Sequence, residues 1–168
     1  MRITDMIARM ERFQIRAAIE SDVPVVLQFI HDLAVYERLE HLVVCTEEQL
    51  RGVLFGQRRY AEVLIGEEDG TPAGFALFFH NFSTFLGRPG IYLEDLFVKP
   101  EMRGRGYGKA LLARLARIAQ ERECGRVEWA VLDWNEPSIN FYKSLGAAPL
   151  DDWRIFRLTG DALKTLAG

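Results

Sequence analysis

The chain has 168 residues, with 21 Lys and Arg against 24 Asp and Glu, and a formal net charge of −3 at pH 7. This length suits one domain with a full hydrophobic core, and the charge gives no reason to expect nucleic-acid binding. Two cysteines and no apolar run of membrane-spanning length exclude a disulfide framework, a cysteine-rich metal site and a membrane helix, so we expect a metal-free cytoplasmic protein.

The first half of the chain predicts a strand, two helices and a hairpin. Thr46 followed by Gln49 is a capping box, which predicts a helix start. Asp69-Gly70 between two apolar runs predicts a hairpin turn. The elements expected in this half are a strand at residues 13–17, a helix that begins near Asp22, a helix from Thr46 to Phe55, and strands at 60–67 and 73–83.

The second half predicts strands that alternate with helices. The elements expected here are a strand at residues 90–98, a helix at 107–122, a strand at 127–132, a helix at 137–145 and a closing strand at 153–158. The whole order is β-α-α-β-β-β-α-β-α-β. It predicts an α/β fold in which one mixed sheet is flanked by helices on both faces.

A glycine-rich turn joins the strand 90–98 to the following helix. Its glycines can take positive φ, so that successive N–H groups point into one small volume, and the helix adds the positive end of its dipole. Arginine and lysine side chains in the turn add full positive charges. The turn consists of Arg103, Gly104, Arg105, Gly106, Tyr107, Gly108 and Lys109. It predicts a site for a phosphate or pyrophosphate group.

Two common phosphate loops do not fit this turn. A Walker A loop requires Ser or Thr after Gly-Lys, whereas Gly108-Lys109 is followed by Ala110. A dinucleotide-binding loop requires two residues between its second and third glycines, and here only Tyr107 separates Gly106 from Gly108. A solvent-exposed basic turn that caps a helix remains as an alternative.

A second informative segment runs from Asp133 to Gly146. Asn135 suits the cap of a short helix, Pro137 suits its first turn, and Gly146 suits its end. Ser138 and Tyr142 are four residues apart and therefore share one face of that helix. This face could present two hydroxyl groups to a ligand.

The two segments together resemble a known family. The Arg-x-x-Gly-x-Gly pattern of residues 103–108 resembles the pyrophosphate loop of the GCN5-related N-acetyltransferase (GNAT) superfamily, whose members bind acetyl-CoA. The run 135–143 resembles the diamine (spermidine/spermine) acetyltransferase branch, which includes a thialysine acetyltransferase. Further matching motifs are Ile15 to Ala18, Leu33 to Glu37, Tyr92 to Asp95 and Trp153 to Phe156. The resemblance implies the GNAT fold, an acetyltransferase domain at residues 10–168 after an extension at 1–9, and a homodimer.

The resemblance also implies which residues form the site. The implied catalytic residues are Tyr142 and Glu94. Those implied to bind acetyl-CoA are Leu96, Phe97, Val98, Arg103, Gly104, Arg105, Gly106, Tyr107, Gly108, Lys109, Asn135, Ser138 and Tyr142. Those implied to bind the amine substrate are Tyr36, Glu37, Glu94, Asp95, Glu128, Trp129, Asp151, Asp152 and Trp153.

Acetyl transfer to an amine needs a base for the ammonium proton, a donor for the oxyanion and an acid for the departing thiolate. Tyr142 is the candidate acid, and a core tyrosine is its alternative role. Glu94 is the candidate base, and an exposed edge acid is its alternative role. Strict strand alternation would place Glu94 on one face with Leu96, and Asp95 on the other face. The oxyanion donor would be a backbone N–H near Val98.

The expected activity is transfer of an acetyl group from acetyl-CoA to the primary amine of a small cationic substrate, by direct attack and without a covalent enzyme intermediate. The diamine enzymes carry an acid just before the Tyr92–Asp95 motif, whereas this chain has none at residues 82–88. Arg88 there favours a short amine with a carboxylate, such as thialysine, over a long polyamine. Two alternatives remain, namely a protein lysine or N-terminal acetyltransferase and a non-catalytic acyl-CoA-binding module.

Overall fold

The computed structural model of the protein describes residues 12–168, and the extension expected at residues 1–9 lies outside this part. The chain divides into two compact units, of which the first ends at Ala130 and the second is Val131–Gly168. The strands are β1 (Phe13–Ala17), β2 (Glu62–Glu68), β3 (Thr71–Ser83), β4 (Arg88–Val98) and β5 (Val127–Trp129). The α-helices are α1 (Val23–Glu37), α2 (Glu47–Phe55), α3 (Tyr107–Glu121), α4 (Glu136–Ser144) and α5 (Gly160–Ala167).

Local signals set the helix ends in the first unit. The backbone N–H of Gln49 donates to Thr46 Oγ1 over 3.3 Å, and Thr46 N–H donates to Gln49 Oε1 over 2.9 Å, which confirms the predicted capping box. Helix α1 stops because Arg38 takes a left-handed conformation, with φ of 61°. Tyr36 and Glu37 therefore lie in the last turn of α1.

In the described residues, the sheet has five strands in the order β1-β2-β3-β4-β5. The first four strands pair antiparallel, and β5 pairs parallel to β4. The parallel pairing is short, since Ile91, Tyr92 and Leu93 of β4 are the residues paired with β5. The half of β4 that leads to the glycine-rich turn therefore continues beyond β5.

Helices cover both faces of the sheet. The Phe97 side chain packs in one core with Phe29 of α1, and their ring centroids lie 6.0 Å apart. The next residue, Val98, packs in a second core with Tyr107 of α3. Because consecutive strand residues point to opposite faces, α1 and α3 lie on opposite sides of the sheet. The predicted α/β class is thus confirmed. No helix within residues 12–168 has the length and apolar character needed to cross a lipid bilayer.

Two predictions about the end of the chain are wrong. The strand expected at residues 127–132 stops at Trp129, and the segment 153–158 forms no strand. A strand requires a neighbour for its backbone groups, and no strand of the described chain pairs with this segment. The apolar side chains that suggested it are exposed, with Trp153 at 75% and Phe156 at 91%. Helix α5 follows instead and was not predicted.

Candidate active site

The glycine-rich turn after β4 presents a row of available backbone donors. Gly104 and Gly106 have φ of 72° and 88°, as predicted, while Gly108 lies inside α3 and not at positive φ. Within the described part of the chain, the backbone N–H groups from Gly104 to Lys109 donate no hydrogen bond. Six successive donors that end at a helix N-terminus suit a phosphate or pyrophosphate group.

The side chains of the turn have a different role from its backbone. An Arg105 NH group donates to Glu68 Oε2 over 2.7 Å, and another donates to the Glu101 carbonyl over 2.9 Å. The Tyr107 ring is buried and stacks on Phe13 with 3.9 Å between the centroids. These contacts fix the conformation of the turn and engage the side chains of Arg105 and Tyr107 within the protein. The two residues would therefore contribute to an anion site through their backbone N–H groups.

Arg103 and Lys109 also differ from each other. The Arg103 Nε–H donates to the Val98 carbonyl over 3.0 Å, and its guanidinium lies over the Tyr36 ring at 4.6 Å. The Lys109 side chain is exposed and has no hydrogen bond or ion pair within residues 12–168. Among the basic residues of the turn, Lys109 is therefore the side chain best placed to meet an anion.

The end of β4 has backbone groups that point away from β3. Lys99 N–H donates to the Ala73 carbonyl of the β3 edge over 2.9 Å. Because backbone groups alternate along a strand, those of Val98 and Leu96 point to the opposite edge of β4, away from β3. The β5 strand pairs only with residues 91–93 and does not reach this part of β4. Phe97 differs, because its side chain is buried in the α1 core and its carbonyl lies against Gly74. The N–H groups of Leu96 and Val98 thus suit a carbonyl oxygen of a ligand.

A β-bulge breaks the alternation of β4 at Glu94. Asp95 pairs with Leu77 and Leu93 pairs with Phe78, so Glu94 is an extra residue between them. The prediction that Glu94 and Asp95 follow a strict two-face pattern is therefore wrong. The reason is the register shift, which strand periodicity alone does not reveal. The Glu94 side chain is exposed, whereas Asp95 is half-buried.

Three carboxylates come together around the bulge. Burial, followed by the charges of Glu94 and Glu37, raises the pKa of Asp95 to about 7. Burial also raises the pKa of Glu37. Like charges that influence one another in this way make a region of negative potential. This acidic group, Glu37, Glu94 and Asp95, suits a cationic ligand.

Three other residues that the sequence linked to the substrate lie in the sheet, namely Glu128 and Trp129 on β5 and Arg88 at the start of β4. The Glu128 carboxylate accepts a hydrogen bond from Asn81 Nδ2 over 2.7 Å and pairs with Arg126 over 2.8 Å, a structural role that the sequence did not suggest. Arg88 begins β4, six residues before Glu94, which corresponds to about 20 Å along a strand. Within one chain, Arg88 is therefore too far away to bind the carboxylate of a small amine held at Glu94. Trp129 pairs with Leu93 in the sheet.

The second unit contains the other predicted site residues. The Asn135 side chain accepts a hydrogen bond from Ser138 N–H over 3.3 Å, and this confirms the predicted cap of α4. Ser138 and Tyr142 are half-buried and one helical turn apart on α4. Asp151, Asp152 and Trp153 are exposed. Among residues 12–168, no group of three or more His, Cys, Asp or Glu side chains has a geometry that could hold a metal ion.

Comparison with known proteins agrees with the features of the β4–α3 turn. Residues 27–147 match the Acetyltransferase (GNAT) family. The chain belongs to this family. It is 39% identical to the thialysine N-epsilon-acetyltransferase of Bos taurus over 92% of this chain and 96% of that protein. It is 36% identical to the L-ornithine N5-acetyltransferase NATA1 of Arabidopsis thaliana over 91% of this chain and 87% of that protein.

A solved structure of similar fold is the integron cassette protein VCH_CASS6 from the mobile metagenome of V. cholerae. Its TM-score is 0.78 at 26% identity, and the match covers 93% of this chain and 98% of that one. The GNAT protein described here is thus an N-acetyltransferase, and the predicted diamine and thialysine branch is confirmed by its relatives.

Sequence reasoning missed one residue and one contact that shape this GNAT site. Glu68 at the end of β2 fixes Arg105, and no local pattern marks it, since its partner is 37 residues away. The stacking of Arg103 on Tyr36 also has no local pattern, because the two residues are far apart in the sequence.

Proposed function

We propose that this protein transfers an acetyl group from acetyl-CoA to the primary amine of a small cationic substrate, a thialysine-like amino acid or a polyamine. The transfer would proceed by direct attack, without a covalent enzyme intermediate. The observation that carries the proposal is the acidic group, in which Glu37 at the end of α1 acts on Asp95, next to Glu94, on the half of β4 that extends beyond β5. The relatives named for thialysine and L-ornithine support a small amine acceptor.

The residues present fit acetyl-CoA. The free N–H groups of residues 104–109 would hold its pyrophosphate, and Lys109 would add a positive charge. The Leu96 and Val98 N–H groups would receive the thioester carbonyl and stabilise negative charge on its oxygen. When bound, acetyl-CoA supplies the activated acetyl group.

The acidic group would attract the ammonium form of the substrate and remove its proton. A base works best when its pKa is close to the working pH, and the pKa of Asp95 is raised to about 7. We therefore assign the proton acceptor to Asp95. The exposed Glu94, which the sequence suggested as the base, would act through the charge that keeps the pKa of Asp95 high.

Tyr142 of the second unit is the proposed acid for the departing thiolate. A phenol is protonated at neutral pH, and a thiolate benefits from a proton as it leaves. This assignment depends on the family resemblance of the run 135–143. The same resemblance supports a homodimer and a cytoplasmic location.

A panel of amines tests the proposal. Release of the CoA thiol would be measured with thialysine, L-ornithine, putrescine, spermidine and a lysine-containing peptide. We expect turnover with one or more of the small amines. Turnover with the peptide alone would favour a protein acetyltransferase, and binding of acetyl-CoA without any turnover would favour a non-catalytic module.

A further inference from the structure

The Arg103 side chain joins three parts of the first unit. Its Nε–H donates to the Val98 carbonyl at the end of β4 over 3.0 Å. The guanidinium carbon lies 4.6 Å from the centroid of the Tyr36 ring and 5.6 Å from that of Phe97. A guanidinium placed over aromatic faces is attracted by their π electrons. The Arg103 guanidinium is thus engaged by the Val98 carbonyl and by two aromatic rings of the same chain.

This contact meets α1 at the edge of the acidic group. Tyr36 and Glu37 occupy the last turn of α1, which ends at the left-handed residue Arg38. Glu37 lies close enough to Asp95 for its charge to act on that carboxyl. A contact that fixes Tyr36 therefore also fixes Glu37 with respect to Asp95.

We propose that Arg103 is a positioning residue for the amine substrate and not a ligand of the pyrophosphate. Its guanidinium holds the end of α1 against the end of β4 and thereby fixes the place where the amine is received. The inference rests on the proposed function, because it assigns Arg103 to the amine side of the same site. It also explains how an arginine in a phosphate-binding turn can leave the phosphate to the backbone and to Lys109.

The test separates the two substrates. Acetyl-CoA affinity would be measured by calorimetry, and the KM of the best amine and kcat would be measured with Arg103→Met and Lys109→Met. We expect Arg103→Met to raise the amine KM about fivefold or more, with less than about a twofold change in acetyl-CoA affinity. Lys109→Met is the matched control, and we expect it to weaken acetyl-CoA binding while the amine KM stays nearly constant.

A double-mutant cycle tests the route through Tyr36. Tyr36→Leu should raise the amine KM as Arg103→Met does, and the double variant should show little further rise. Arg103→Lys should recover part of the loss, because an ammonium can also lie over an aromatic face. Circular dichroism melting curves would verify that each variant folds. If Tyr36→Leu does not fold, the comparison of Arg103→Lys with Arg103→Met still tests the contact.

Two results would overturn the inference. One is a loss of acetyl-CoA affinity in Arg103→Met at constant amine KM, and the other is full additivity in the double variant. Failure of the proposed function is distinct, because the unmodified protein would then acetylate no amine on the panel. In that case there is no amine site, and the role assigned to Arg103 is also wrong.

Discussion

At the scale of single residues, Asp95 shows most clearly how the fold alters chemistry. Its carboxyl is half-buried, and Glu94 and Glu37 add negative charge nearby, so its pKa rises to about 7. Between the ordinary pKa of an aspartate and about 7, the folded protein binds more protons at this residue than the unfolded chain does. The contribution of Asp95 to the free energy of unfolding therefore decreases as the pH rises through this range.

The pH dependence of the reaction identifies the base. Because protonated Asp95 cannot accept a proton, we expect kcat/KM to fall below about pH 7. Of the two carboxylate charges that raise the pKa of Asp95, that of Glu94 has the larger effect, so Glu94→Gln should move the fall in kcat/KM to lower pH. Glu37→Gln should move it in the same direction by less. If Glu94→Gln abolishes turnover at every pH, Glu94 itself is the base.

Tyr142→Phe tests the acid. This change keeps the ring and removes its proton donor, so we expect kcat to fall more than about tenfold with little change in acetyl-CoA affinity. Steady-state rates and calorimetry would measure the two effects. An equal loss of affinity would make the hydroxyl a ligand contact, and an unchanged rate would make it structural.

At the scale of elements, the glycine-rich turn combines left-handed glycine backbone with side-chain contacts that fix its position. Gly106 caps the N-terminus of α3 with φ of 88°, a conformation that a β-branched residue rarely adopts. Arg105 and Glu68 tie the same turn to β2. The donors from Gly104 to Lys109 are therefore held in place before a ligand arrives, which reduces the ordering cost of binding.

Gly106→Val tests the turn against a matched control. We expect a large loss of acetyl-CoA affinity in a folded protein, because the added side chain distorts the row of N–H donors. Gly70→Val introduces comparable backbone strain, at φ of 76°, in the β2–β3 turn, where an added Cβ meets no atom of residues 12–168 within 4 Å. It should lower the melting temperature without changing acetyl-CoA affinity, and calorimetry with melting curves would compare the two. Equal affinities would contradict an anion site in the turn.

The sequence predicted elements well where the signal is local. The Thr46 capping box, the Asp69-Gly70 hairpin turn and the Asn135 cap each depend on residues a few positions apart. The bulge at Glu94 could not be predicted, because it depends on how β4 aligns with a strand formed by other residues. The strand expected at 153–158 failed for a related reason, since its apolar pattern carries no information about a pairing neighbour.

At the scale of the whole molecule, exposed apolar residues support the expected homodimer. Phe82 at the end of β3 is 61% exposed, and Phe85 in the β3–β4 turn is 95% exposed. Exposed apolar clusters of this kind are common at contacts between proteins. Light scattering at micromolar concentration should give twice the chain mass of 19.2 kDa. A monomer mass would contradict the expected assembly, and Phe85→Glu would test whether this turn contributes to it.

The raised pKa of Asp95 has a consequence for the heat of substrate binding. Near neutral pH, a share of the molecules carries a proton on this carboxyl. An ammonium that enters the acidic group favours the carboxylate, so the proton is released to the buffer. The apparent binding enthalpy should therefore change between two buffers with different ionisation enthalpies, and the slope of that dependence counts the protons released. Binding of the cationic substrate would thus make the protein release protons, as a weak acid does.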